Sequence, residues 1–253
     1  MRAYELIKET FLRRGYIWMV HVIWLALYGL FWWLFIPDGE EFGQFLFTWS
    51  GFFLPLALSA GVFGDDIASG RICVLVTKPF WSGGLYIYRL LGLSLQAAVH
   101  LLLAAGIIGV LHALTRRGSL EGLGLWLLAS WLLFNTCAAL STSLSVVVGR
   151  AYNSLLLFVA MATGFIVVAL LTSLLHEHAG GETFLSTIKF PWPPFELLSK
   201  FARGEHEEHG VTVEAFGLAK SLGCVARSLM LTVVYGVIGI ILLSRRQFSC
   251  MRD

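Results

Sequence analysis

The sequence predicts an all-α integral membrane protein with six membrane-spanning helices, and three observations carry that prediction. Hydrophobic residues make up 57% of the 253 residues and charged residues only 13%, whereas a water-facing domain needs roughly 25% charged residues to wet its surface. Mean hydropathy is +0.77. Six apolar stretches also reach the roughly 20 helical residues that a hydrocarbon core of about 30 Å requires. Backbone N–H groups in lipid must pair internally, so each stretch is expected to be helical. The 9 Trp and 19 Phe agree, since aromatic rings favour the membrane–water interfaces.

Taken in order, residues 2–14 are expected to form an amphipathic interfacial helix. Tyr4, Ile7 and Phe11 share one face, and Glu5, Lys8, Glu9 and Arg13 fill the other. The first span, 16–36, follows Arg13-Arg14. It is too long for a signal-peptide core, and no small-x-small site follows Pro37-Asp38, so an uncleaved span is expected. The second span is 42–64, and 65–84 forms a polar loop. Spans 86–111, 123–148 and 154–175 follow. An outer segment, 176–221, precedes the last span, 222–243. Within that segment Pro191-Trp192-Pro193-Pro194 leads into Phe195, Leu198 and Phe201 at helical spacing, which predicts a short outer interfacial helix. Residues Glu205 to His209 read as a solvated turn. The whole chain, 1–253, is one membrane domain without internal repeats.

Lys and Arg set the orientation. With both termini cytoplasmic, the inner segments hold Arg2, Lys8, Arg13, Arg14, Arg71, Lys78, Arg89, Arg150, Arg245, Arg246 and Arg252. Asp38, Glu40 and Glu41 fall outside. Arg116-Arg117 is the exception to this pattern. The expected location is the cell membrane, as a multi-pass protein of the inner membrane in a two-membrane cell. The net charge of +2 gives no footing for nucleic acid.

The loop 65–84 is the most distinctive segment. Asp65 and Asp66 close a span. Ile72, Leu75 and Val76 form an apolar stripe on a short helix, Pro79 stops it, and Tyr86, Tyr88 and Arg89 restart the chain. Such a stripe serves either to dock a partner or to rest on lipid. These residues resemble the ABC-transporter type-2 permease family, in which an acidic residue after the second span is followed by Gly, a Leu-rich turn, Pro, and a basic residue near Gly. Here those positions are Asp66, Gly70, Leu75, Pro79, Arg89 and Gly92. The family often has Arg shortly after the Pro and Lys beside the Gly, where this chain has Trp81, Ser82, Leu91 and Leu93.

The resemblance implies the permease subunit of an ATP-driven transporter, with an exporter expected. It also implies a separate ATPase chain that binds ATP and Mg, and a second permease subunit, either identical or related. The coupling helix would use Asp66, Gly70, Arg71, Leu75, Val76, Lys78, Pro79 and Arg89. The chain has no G-x-x-x-x-G-K-[ST] segment with which to cradle phosphates, so no enzyme activity and no cofactor are expected on it. The alternative is a structural or cofactor-anchoring membrane subunit of a larger complex.

Gln96, Asn135, Thr136, Ser141 and Ser145 lie within spans and either join helices or line a path. His21 and His100 are intramembrane and ionisable, but sequence spacing puts them about 8 Å and 21 Å from the cytoplasmic ends of their spans, unequal depths for two axial haem ligands. His176, His178, His206 and His209, with Glu177, Glu205, Glu207 and Glu208, read as a charged loop; the spacing is not H-E-x-x-H, and no metal is assigned. No span holds an Asp or Glu, which counts against an intramembrane enzyme. Cys73, Cys137, Cys224 and Cys250 form no C-x-x-C pair and read as unremarkable thiols.

Overall fold

A computed structural model describes residues 3–12, 15–35, 39–76, 82–116, 120–148, 152–175, 189, 191–204, 207–208, 211–212 and 217–246. It is a helical bundle. Five helices are long and apolar enough to cross a membrane. They are α2 (Gly15–Phe35), α7 (Ser82–Thr115), α8 (Leu123–Val147), α9 (Tyr152–Leu175) and α11 (Leu218–Arg245). Their boundaries fall close to the expected ones, except that α7 starts four residues before the expected span and ends four after it, and α11 starts four before and ends two after. At 34 residues it is about 50 Å long, more than one hydrocarbon core.

The expected span 42–64 departs from a simple α-helix. The chain runs through α3 (Gly39–Leu46), a π-helical stretch (Phe47–Phe53) and α4 (Leu54–Leu58), then turns before α5 (Gly64–Ala68) and α6 (Arg71–Val76). Wide π turns are rare and occur mostly as short insertions within α-helices. Here Pro55 sits at the start of α4. Proline donates no N–H and blocks a regular bond to the carbonyl four residues earlier, next to where the π stretch ends. Phe47, Ser50, Gly51, Leu54, Pro55 and Leu58 are buried, so the broken helix lies within the bundle.

The centre of the bundle is α8, which packs against α11, α7, the π stretch and the short helix α10 (Phe195–Arg203). Trp126, Ala129, Leu133, Phe134, Cys137, Ala138 and Ala139 are all buried. Small residues among large ones let neighbouring helices come close. By contrast, α9 lies at the edge, with Leu155, Phe158, Phe165, Ile166 and Leu170 exposed.

The N-terminal helix forms as α1 (Ala3–Leu12), but the face it buries differs from the expected one. Leu6 and Thr10 are buried, while Tyr4 is 64% exposed. Ile7 and Phe11 are half-buried. The reason is docking on α7, where Gly92 removes a side chain directly beneath α1. A Cβ at Gly92 would stand 2.7 Å from Thr10 Cβ, closer than packed atoms come. The helix after Pro193-Pro194 forms as expected, with Leu198, Phe201 and Ala202 buried against Phe47, Trp126 and Leu133. Where a solvated turn was expected, β1 (Glu207–Glu208) pairs antiparallel with β2 (Val211–Thr212).

Candidate functional site

The strongest concentration of charge in the interior lies where α1, α5 and α7 meet. Asp66 comes from α5, and Arg89 lies seven residues into α7. Both side chains are fully buried, with Arg89 Nη2 donating to Asp66 Oδ2 at 3.0 Å. Arg89 Nη1 donates to Thr10 Oγ1 at 3.1 Å, and Nη2 lies 3.5 Å from Glu9 Oε1. Thr10 Oγ1 in turn donates to the Leu6 carbonyl at 2.9 Å. Glu9 also bonds Arg71 at the start of α6. The planar guanidinium, with its fork of donors, can serve several acceptors at once. One arginine thus ties the N-terminal helix to the loop between the second and third hydrophobic segments. Asp66, Arg89 and Gly92 of the family-like pattern therefore meet around α1.

The loop itself differs from the expected docking helix. Gly70 adopts φ +68°, a left-handed turn that a side chain disfavours, and it separates α5 from α6. The apolar stripe on α6 does not face outward. Ile72 is 1% exposed and Leu75 6% exposed, packed with Leu6, Leu54, Leu58 and Phe63. The periodicity was right, but the surface it covers belongs to this chain. What the loop exposes is its tip, Ala68, Ser69, Gly70 and Arg71. Lys78, Pro79 and the Val76 side chain lie outside the described residues.

The polar residues of the spans mostly join helices. Thr136 Oγ1 meets Ser228 Oγ at 3.0 Å and Thr232 Oγ1 at 3.2 Å, linking α8 to α11. Ser145 Oγ accepts from Phe63 N at 3.2 Å. Ser141 Oγ accepts from Ser59 Oγ at 2.7 Å and from Asn153 Nδ2 at 2.9 Å. Asn135 donates back to the Trp131 carbonyl of its own helix at 2.7 Å. Gln96 is the exception: it is buried, and neither its amide nitrogen nor its oxygen has a partner among the described residues.

Sequence reasoning missed two features. Asn153 also donates to the Ser59 carbonyl at 3.1 Å and accepts from Gly61 N at 3.0 Å, closing the turn that ends the broken helix. An Asn beside a span start carries no signal of such a role. The second is the histidine pair. His21 and His100, assigned to unequal depths, are in contact, with Nδ1 atoms 2.9 Å apart and ring centroids 4.9 Å apart. The depth estimate failed because α1 docks at Gly92, ten residues into α7, so α2 begins well above the start of α7. The direct ring contact leaves no gap in which a haem plane would fit.

Cys73 is disulfide-bonded, unlike the expected scattered thiols, whereas Cys137 and Cys224 are free and buried. His176, Glu177, His178, Glu205, His206 and His209 lie outside the described residues, as do the side chains of Glu207 and Glu208. Among the described residues, no group of three or more His, Cys, Asp or Glu stands close enough to hold a metal ion.

On the outer side of the sequence-derived topology, a cavity of about 450 Å³ opens between α9 and α10, lined by Gly164, Phe165, Trp192, Glu196, Lys200 and Arg227 among others. Burial alone would raise the Glu196 carboxyl. The hydrogen bond from Lys189 and the charges of Lys189 and Lys200 outweigh that and hold it below its ordinary value. No family model matches the chain, and no curated protein matches it.

Proposed function

We propose that this chain is the membrane-spanning permease subunit of an ATP-driven transporter, docking a separate ATPase through the tip of the α5–α6 loop. The observation that carries the reading is the buried Arg89 cluster. A loop that relays movement from a docked motor must be stiff, and it must be joined to the spans. Asp66 and Arg89 fasten α5 to α7, and Glu9 joins α6 and α7 to α1. The exposed tip, Ala68 to Arg71, then projects from a fixed base. A loop resting passively on lipid has no use for an ion pair buried at its root, where desolvation is costly.

In this reading Gly39–Leu58 is the sixth span. Its 20 residues are helical throughout, enough for about 30 Å, and six crossings return the chain to its starting side. A second permease subunit, identical or related, completes the assembly. Export is the expected direction.

The test is a cross-link from the tip. Ser69→Cys in native membranes, treated with a short bifunctional thiol reagent, is expected to capture a chain carrying the G-x-x-x-x-G-K-[ST] phosphate loop, with a yield that changes when ATP is added. Capture of no such chain from Ser69→Cys, and again from Ala68→Cys, would remove the docking assignment and with it the main support for the reading.

A further inference from the structure

Two spans meet in the apolar interior through a pair of imidazoles. His21 is 3% exposed and His100 1%, and their Nδ1 atoms stand 2.9 Å apart. Only one of those atoms can carry the bridging proton. The neutral pair therefore consists of two different tautomers. One ring donates from Nδ1 and keeps a bare lone pair on Nε2; the other accepts at Nδ1 and carries its proton on Nε2. Neither Nε2 has a partner among the described residues. Gln96 sits four residues before His100 on the same side of α7, is 1% exposed, and has both amide atoms unpartnered. Buried polar groups are normally satisfied.

We propose that His21, His100 and Gln96 form a proton-binding site inside the membrane, in which the two imidazoles share one added proton across the Nδ1–Nδ1 contact. The incoming proton, delivered by water, bonds to the bare Nε2 lone pair of the donating ring. That ring becomes an imidazolium while the Nδ1–H···Nδ1 bridge remains and becomes charge-assisted. A second proton would find a lone pair only at the bridging Nδ1, so it cannot bind without breaking the contact. The capacity is one proton per pair.

The Trp18 ring centroid lies 5.5 Å from that of His21, tilted by 54°, and the Tyr28 centroid 5.7 Å from that of His100, in an edge arrangement at 65°. Neither α2 nor α7 contains an Asp or Glu. Gln96 Oε1 is the available acceptor, directly or through a water, for an Nε2–H. Among titratable groups, Tyr28 touches the pair, and its hydroxyl is held by Ser50 of the π stretch at 2.6 Å. Glu9 of α1 and Arg89 of α7 are engaged in their own cluster about three turns below His100. His112 lies about three turns above, against Trp32. The π stretch places no charged side chain here, and α8 carries none at all.

The inference stands apart from the transport reading, because it needs neither an ATPase nor a substrate. The full chain, labelled with 15N-histidine and held in lipid nanodiscs, tests it by NMR as pH is lowered. At neutral pH the two rings should show opposite tautomers and a scalar coupling between their Nδ1 nuclei. Acidification should add one proton to the pair while the coupling survives. In His21→Gln, the remaining His100 should titrate alone, and the coupling should vanish. Two like tautomers, absence of the coupling, or two protons taken up independently would each overturn the proposal. Should the variant fail to insert, the coupling in the wild-type chain decides by itself.

Discussion

Arg89 shows how much one buried side chain can hold together. It is fully buried, and it reaches Asp66, Glu9 and Thr10 on two other helices. Removing one member of such a pair leaves an uncompensated charge in the interior, at a cost of about 3–5 kcal/mol. Arg89→Gln should therefore lower the thermal midpoint of the purified protein sharply. The double change Asp66→Asn with Arg89→Gln should recover part of the loss, since neither charge is then left alone. Arg71→Gln provides the contrast. Its side chain is 44% exposed, and pairs that open to solvent contribute about 0–1 kcal/mol. Midpoints measured by tryptophan fluorescence on all four proteins would check this. Equal losses for Arg89→Gln and Arg71→Gln would contradict the burial argument. Asp66, Arg89 and Gly92 were legible in the sequence because their types and spacing form a pattern. Their partners Glu9 and Thr10 were not, since a helix of mixed polarity does not announce which face a distant glycine has prepared for it.

At the level of elements, the α6 stripe was legible as a stripe but not as a core. Periodicity reports that one face of a helix avoids water; it is silent on whether lipid, another protein or the same chain covers that face. Here the same chain covers it. Leu75, at 6% exposure, belongs with Leu6, Leu54 and Phe63. Leu75→Asp should thus act on folding before it acts on any partner, because an unpaired buried carboxylate costs several kcal/mol. The expected outcome is release of α6 from the bundle, read as rapid proteolytic cleavage between Gly70 and Val76 in the purified chain alone. Ser69→Asp, at the exposed tip, should leave the cleavage rate unchanged. If both variants resist protease equally, Leu75 is not the anchor assigned here.

For the whole molecule, composition alone pointed to a multi-pass helical protein, and five long apolar helices agree with it. Hydropathy measures polarity and length but not backbone geometry, so the segment 42–64 read as one span although it changes helix type at Phe47. Depth along the membrane normal was also out of reach, because it depends on where helices dock; the histidine pair was lost for that reason. Orientation rests on the distribution of Lys and Arg. Labelling Glu40→Cys and Glu207→Cys in intact cells with a membrane-impermeant maleimide tests it. Both positions should react from outside, while a cysteine appended after Asp253 should be protected. The reverse pattern would place the α5–α6 loop outside and remove any cytoplasmic ATPase from its reach.

The π stretch Phe47–Phe53 has a mechanical consequence. A π turn can travel along a helix one residue at a time, each step exchanging one backbone bond for the next without exposing an unpaired group. Every step swivels the residues it passes by about 100°, the angle of one helical residue. Ser50, which holds Tyr28 beside the imidazoles, lies inside the π stretch. A slip of one position would turn Ser50 away from Tyr28 while the segment stayed helical from end to end.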